Sequence, residues 1–240
     1  MSKVILVTGS NSSIGFELVR LLAEKGHIVY LGARSEAAGK EAQETLNKNG
    51  LANVKFVLID VRDSATIKRA KETIEKAEGK LDVLVNNAAI SRNDVLQHPS
   101  TLDTSVLRDV METNFIGLVE TTTAFIPLLR KSSEPNIVNV SSPLGSQSFQ
   151  SQPTATTIFT AYANSKAAVN SYTVALAHEL GKEGFKVNAI SPGLVSSRLN
   201  SFIAGGTTLE EGALAILPFV ILEKDGPSGK LIYDGREIGW

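Results

Sequence analysis

The chain has 240 residues, with 24 Lys plus Arg against 25 Asp plus Glu and a formal net charge of −1. So even a balance gives no field to recruit nucleic acid or an anionic membrane, and neither is expected as a partner. There is no cysteine, which excludes disulfides, thiol catalysis and Cys-ligated metal centres, and His27, His98 and His178 stand at no metal-ligand spacing, so no metal is expected.

Val4 to Val7 reads as a buried strand, followed by a helix from Ile14 to Lys25 with Leu18, Leu21 and Leu22 on one face. Ile28 to Leu31 is the second strand, and Glu36 to Asn49 a polar helix stopped by Gly50. Val54 to Ile59 and Leu81 to Val85 are strands, separated by a helix over Ser64 to Glu78. A long helical region covers Asp103 to Arg130, and another Thr160 to Leu180. Ile137 to Val140 and Lys186 to Ile190 are the fifth and sixth strands, and Leu231 to Tyr233 a seventh. This alternation predicts one doubly wound α/β domain over 1–240, with about seven parallel strands and helices on both faces. The segment from Ser141 to Thr160 is rich in Ser, Thr and Gln and carries no charge; it is either a solvated loop or a wall of the site beyond the strand ends. Ser196 to Thr208 reads as a polar flap carrying Leu199, Phe202 and Ile203. The longest uncharged apolar run, Ala213 to Leu222, is too short for a bilayer. The four apolar residues near the start run straight into a turn, which is no signal peptide, so a cytoplasmic protein is expected.

The first strand enters Thr8-Gly9-Ser10-Asn11-Ser12-Ser13-Ile14-Gly15 and then a helix. Gly9 allows a tight turn, Gly15 lets helix and strand approach, and the N–H groups of the helix start suit a pyrophosphate. An acidic residue for the adenosine ribose is due roughly 20 residues on. Ala33 and Arg34 stand there instead, and the guanidinium suits a 2′-phosphate, so NADP(H) is favoured over NAD. Farther on, Tyr162 and Lys166 are four apart at a helix start and project from one face. A phenol of pKa ~10 is a poor proton donor at neutral pH, and a nearby ammonium favours its ionisation.

The turn is similar to the T-G-x-x-x-G-x-G turn of the short-chain dehydrogenase/reductases, with Ser13 in place of the middle glycine. Asp60-Val61 resembles that family's adenine contact, and Asn86-Asn87-Ala88-Ala89 its Asn-Asn-Ala-Gly strand end, which can equally be a purely structural tie. Asn139-Val140-Ser141-Ser142, Thr113-Asn114 and Ser191-Pro192-Gly193-Leu194-Val195-Ser196-Ser197 complete the likeness, in order along the chain. The resemblance implies a Rossmann-like sheet and a tetrad. Ser142 polarises the substrate oxygen, Tyr162 donates the proton, Lys166 lowers its pKa and holds ribose, and Asn114 orders a relay water. It also implies a cofactor lying along Gly9, Asn11, Ser12, Ser13, Ile14 and Gly15. Arg34, Asp60, Val61, Asn87, Ala88 and Ala89 continue that path, and Tyr162, Lys166, Pro192, Gly193, Val195 and Ser197 complete it. The ending of the chain is similar to the carbonyl reductase branch, so NADPH-dependent reduction of a ketone or aldehyde is expected. An NAD-dependent alcohol dehydrogenase and a non-catalytic dinucleotide sensor are the alternatives. Leu144, Phe149, Phe159, Leu194, Leu199 and Phe202 are candidates for an apolar substrate pocket. The family also implies a homodimer or homotetramer through the two long helices, although the stretch between Ser142 and Tyr162 is longer than in most short members.

Overall fold

The computed structural model describes residues 2–240. Eight strands form one sheet in the order β3-β2-β1-β4-β5-β6-β7-β8. They are β1 Val4–Val7, β2 Ile28–Ala33, β3 Val54–Leu58, β4 Val83–Asn86, β5 Asn136–Val140, β6 Lys186–Ser191, β7 Leu231–Tyr233 and β8 Arg236–Ile238. All pairings are parallel except β7 with β8, a short antiparallel hairpin that the strand count of seven omits. The helices are α1 Ser13–Glu24, α2 Glu36–Lys48, α3 Ser64–Glu78, α4 Thr104–Met111, α5 Gly117–Leu129, α6 Gln147–Gln150, α7 Thr160–Leu180 and α8 Leu209–Val220.

Successive residues of a strand point to opposite faces, and an all-parallel sheet buries both. In β1, Ile5 and Val7 join Leu18 and Leu22 of α1 and Ile216 and Val220 of α8 in one core layer. Val4 and Leu6 meet Ile67 and Ile74 of α3, Phe125 and Leu128 of α5 and Leu176 of α7 in the other. Polar side chains cap the helices: Asp63 accepts from Ala65 N at 2.9 Å at the start of α3, and Asp103 from Ser105 N at 2.8 Å at the start of α4.

The helical region read over Asp103 to Arg130 is continuous from Thr104 to Leu129, and within it Glu112–Ile116 adopts a π turn that joins α4 to α5. Ala213 to Leu222 lies mostly within α8, whose start carries a reciprocal cap between Thr208 and Glu211. That Thr-x-x-Glu signature is visible in the sequence. No helix among the described residues is long and apolar enough to cross a membrane.

Candidate active site

Strand order reverses between β1, which continues to β2 and β3, and β4, which leads away to β5. Ligands of such sheets bind outside the carboxyl ends of the strands at this point. A cavity of about 960 Å³ opens there. Its floor is the β1–α1 turn. Gly9 has φ +61°, and a Cβ on it would come within 2.8 Å of the Ala88 backbone. A Cβ on Gly15 would meet Asn87 Nδ2 at 2.6 Å. The turn is tied to β4: Asn87 Nδ2 donates to Thr8 O (2.9 Å) and Gly9 O (3.1 Å), and Thr8 Oγ1 accepts from Asn87 N and Ala88 N. Asn86 is spent inside the fold, donating to Thr122 Oγ1 (2.9 Å) and Asn139 Oδ1 (2.8 Å). The Asn pair therefore has a structural part whatever Asn87 does for a ligand.

Ser12 caps α1 without a side-chain hydrogen bond, and no acidic residue stands in the first turn, so the donors there are open to an anion. Asn11, Ser12, Ser13 and Ile14 all line the cavity. Ser13 sits at φ +55°, a left-handed conformation that glycine adopts freely and other residues at a cost of about 1 kcal/mol. Its hydroxyl accepts from Arg198 N at 3.4 Å. Ser13→Gly is accordingly expected to change stability by less than about 1 kcal/mol, since relieved strain is offset by a freer unfolded chain. Ser13→Val, β-branched at positive φ, is expected to lose about 2 kcal/mol and to weaken dinucleotide binding. Urea unfolding and a dinucleotide titration of both variants check this.

Arg34 closes β2, is exposed, and forms no ion pair among the described residues. Asp60 lies at the next strand end, its Oδ1 accepting from Arg62 N at 3.0 Å, and both Asp60 and Val61 line the cavity. Three further arginines reach the rim: Arg62 and Arg92 share Asp109, each at 2.8 Å, whereas Arg198 has no carboxylate partner among the described residues. None of the three was among the expected site residues. Charge alone does not say which arginines face the cleft.

The far wall is α7. Tyr162 and Lys166 line the cavity together with Ser141 and Ser142. Gly145 lies against the Lys166 backbone, where a Cβ would be 2.5 Å from the carbonyl carbon, and this close approach sets the Ser142 loop beside α7. The two serines part company. Ser141, 2% exposed, donates to Asn170 Oδ1 at 2.6 Å; Ser142 keeps its hydroxyl at the cavity wall, accepting only from Leu144 N at 3.2 Å. Lys166 Nζ donates to Val140 O at 2.7 Å and stands 5.6 Å from the centre of the Tyr162 ring. Burial pushes the Lys166 ammonium down to about 8. Burial also pushes the Tyr162 phenol up to about 12, against the pull of the Ser142 hydroxyl. The expectation that Lys166 depresses the phenol is thus outweighed in this state by desolvation.

Asn114 sits in the π turn, a geometry that often marks functional sites. Its Oδ1 accepts from Ile90 N (2.8 Å), and its Nδ2 donates to Ile90 O (2.8 Å) and Ser165 Oγ (3.0 Å). Of its four hydrogen-bonding sites, one lone pair remains. The side chain lies behind the cavity wall and binds the loop after β4 to α7.

Pro192, Gly193, Val195 and Ser197 follow β6 along the rim. Gly193 has φ +83°; the Val195 carbonyl is taken by Asn200 Nδ2 at 2.8 Å. The flap beyond is tied down: Ser91 Oγ donates to Leu199 O, and Asn93 Nδ2 to Ser201 Oγ at 3.1 Å. Leu144, Phe159, Leu194 and Leu199 line the cavity as expected, joined by Leu96 and Ile158. Phe149 and Phe202 do not. α6 turns Phe149 against Tyr233, ring centres 6.4 Å apart, and Phe202 sits at φ +57° on the outer turn of the flap, 60% exposed.

The model of the short chain dehydrogenase family matches residues 3–205. The chain belongs to the short-chain dehydrogenases. Salutaridine reductase of Papaver somniferum is 31% identical, with 97% of this chain and 94% of that protein covered. (+)-Neomenthol dehydrogenase of Capsicum annuum is 29% identical over 97% of this chain and 96% of its own. Among solved structures, salutaridine reductase superposes with a TM-score of 0.82 at 30% identity, covering 97% of this chain and 99% of that one. NADPH-bound carbonyl reductase from chicken fatty liver gives 0.85 at 25% identity, covering 100% and 99%. This short-chain dehydrogenase therefore shares an oxidoreductase fold that uses nicotinamide dinucleotides.

Proposed function

We propose that the protein is an NADPH-dependent reductase that converts a ketone or aldehyde into the corresponding secondary or primary alcohol. The observation that carries this reading is one cleft with a glycine turn and an unpaired Arg34 at one end and Ser142, Tyr162 and Lys166 on its far wall. The cleft fits a dinucleotide: its volume is at the upper end of the usual ~300–1,000 Å³ for ligand sites, and no carboxylate ends β2 to repel a 2′-phosphate. When bound, NADPH supplies the hydride that reaches the carbonyl carbon.

The Ser142 hydroxyl donates to the carbonyl oxygen and fixes its direction. The Tyr162 phenol gives its proton to that oxygen as the alkoxide forms. Lys166, held by Val140 O, puts its charge 5.6 Å from the centre of the phenol ring, where it favours phenolate against the opposing burial. Asn114 serves by position, holding Ile90 and Ser165 in register with α7. Arg34 would take the 2′-phosphate, Asp60 the adenine side, and the Val195 amide the nicotinamide carboxamide. Leu144, Phe159, Leu194 and Leu199 suit a bulky apolar carbonyl. The named reductases among the relatives support this direction.

The test is NADPH oxidation across carbonyls from aliphatic ketones to aromatic diketones, with NADH alongside. Turnover preferring NADPH supports the reading. Tight dinucleotide binding with no turnover on any carbonyl overturns it in favour of a sensor. The pH profile follows from Lys166: its cation is the working form, so the reduction rate is level below about 8 and falls as pH rises through it. Lys166→Arg, with charge fixed, is expected to lose that alkaline limb.

A further inference from the structure

We propose that Gln97 is a positioning residue for Tyr162, holding the proton donor in place by capping α7 from a distant loop. The proposal rests on the reductase reading above.

The first N–H groups of a helix have no partner within it. At α7 the N-cap residue is Phe159, whose side chain cannot cap. Gln97 satisfies the open donors instead. Its backbone carbonyl accepts from Thr160 N at 3.3 Å, and its side-chain Oε1 accepts from Ala161 N at 3.1 Å and Tyr162 N at 3.3 Å. Ala163 N already bonds back to Phe159 O at 2.8 Å. One residue, more than sixty positions upstream, thus meets every unpaired donor of the turn that carries the phenol.

The other end of the same amide reaches the cleft. Gln97 Nε2 donates to Ser91 O at 2.7 Å and Arg92 O at 2.8 Å. Ser91 and Arg92 line the cavity, and Ser91 Oγ binds the flap at Leu199 O. Arg92 holds φ +50°, a conformation that needs outside support in a non-glycine residue. Gln97 itself is 0% exposed and is not among the residues lining the cleft, so it acts through its neighbours there. A buried glutamine with both donors and both acceptor positions used is costly to build by chance. It joins flap, loop and catalytic helix into one rigid path.

The two halves of the amide are separable. Gln97→Leu removes both. It frees Ala161 N and Tyr162 N, and kcat is expected to fall about 10–100-fold, as misplacement of a reacting group does. Dinucleotide affinity is expected to stay within about twofold, because Gln97 lies off the cleft. Gln97→Glu keeps the acceptor for α7 and loses the donors to Ser91 and Arg92. It is expected to retain most of kcat while KM for the carbonyl rises. Its negative charge, set at the Tyr162 amide, moves ionisation of the phenol to higher pH. Phenolate absorbance, titrated in wild type and both variants with Tyr162→Phe as the blank, reads that shift without any substrate.

A kcat of Gln97→Leu within about twofold of wild type, with the phenol titration unmoved in both variants, overturns the proposal whatever the change in melting temperature. Should Gln97→Leu fail to fold, the split between kcat and KM and the titration of Gln97→Glu decide it. No wild-type turnover across the carbonyl panel counts against the reductase reading, while the titration still decides Gln97.

Discussion

Tyr162→Phe is expected to lower kcat by at least about 10²–10⁴-fold, the usual worth of a positioned acid. The ring volume is unchanged, so the helix packing around it persists. Only the proton on the cleft wall is lost. The phenol shares the cavity wall with the Ser142 hydroxyl and the Lys166 ammonium, whose Nζ stands 5.6 Å from the ring centre. Dinucleotide affinity is expected to change by less than about twofold, since the residues proposed to hold it extend along the whole cleft and the phenol oxygen is one group among many. Steady-state kinetics and fluorescence titration measure the two quantities on one preparation. An unchanged rate defeats the assignment of Tyr162 as proton donor.

The second large effect is on cofactor choice. Arg34→Ala is expected to raise KM for NADPH about 10–150-fold and to leave NADH kinetics nearly unchanged. The range is that of one charge-assisted hydrogen bond, about 1.5–3 kcal/mol. Arg34 is exposed and has no ion-pair partner among the described residues, so its loss removes no internal contact. Folding stability is expected to move by less than about 0.5 kcal/mol. Melting curves without cofactor check that separation. An unchanged ratio of NADPH to NADH efficiency means that another group takes the phosphate, Arg198 being the cavity-lining arginine without a carboxylate partner among the described residues.

The parts legible in the sequence are those governed by local rules. Val4 to Val7 is apolar at every position because both its faces are covered, and Gly9 stands where backbone meets backbone. Tyr162 and Lys166 share a helix face by spacing alone. What escaped was set by distant neighbours. The π turn around Asn114 arises where α4 and α5 join, and no residue in Glu112–Ile116 signals it. β8 is three residues long, too short for a period to show. Phe149 and Phe202 have the composition of a pocket wall, but their direction is decided by α6 and by left-handed backbone in the flap. Gln97 looks like any polar loop residue; its value comes from Ala161 and Tyr162, far along the chain. The cap of α8 was the exception, a local signal in Thr208 and Glu211 masked by the apolar run with Pro218 that follows.

Hydride transfer to a carbonyl carbon is the central claim, and deuterium follows it directly. NADPH labelled at C4 on one face, and separately on the other, would be incubated with the enzyme and the best carbonyl of the panel. The account predicts that one of the two labels appears on the carbinol carbon of the alcohol, seen by mass spectrometry, and the other stays on the nicotinamide. NADPH oxidised with no deuterium in any alcohol, or bound and never oxidised, would contradict it.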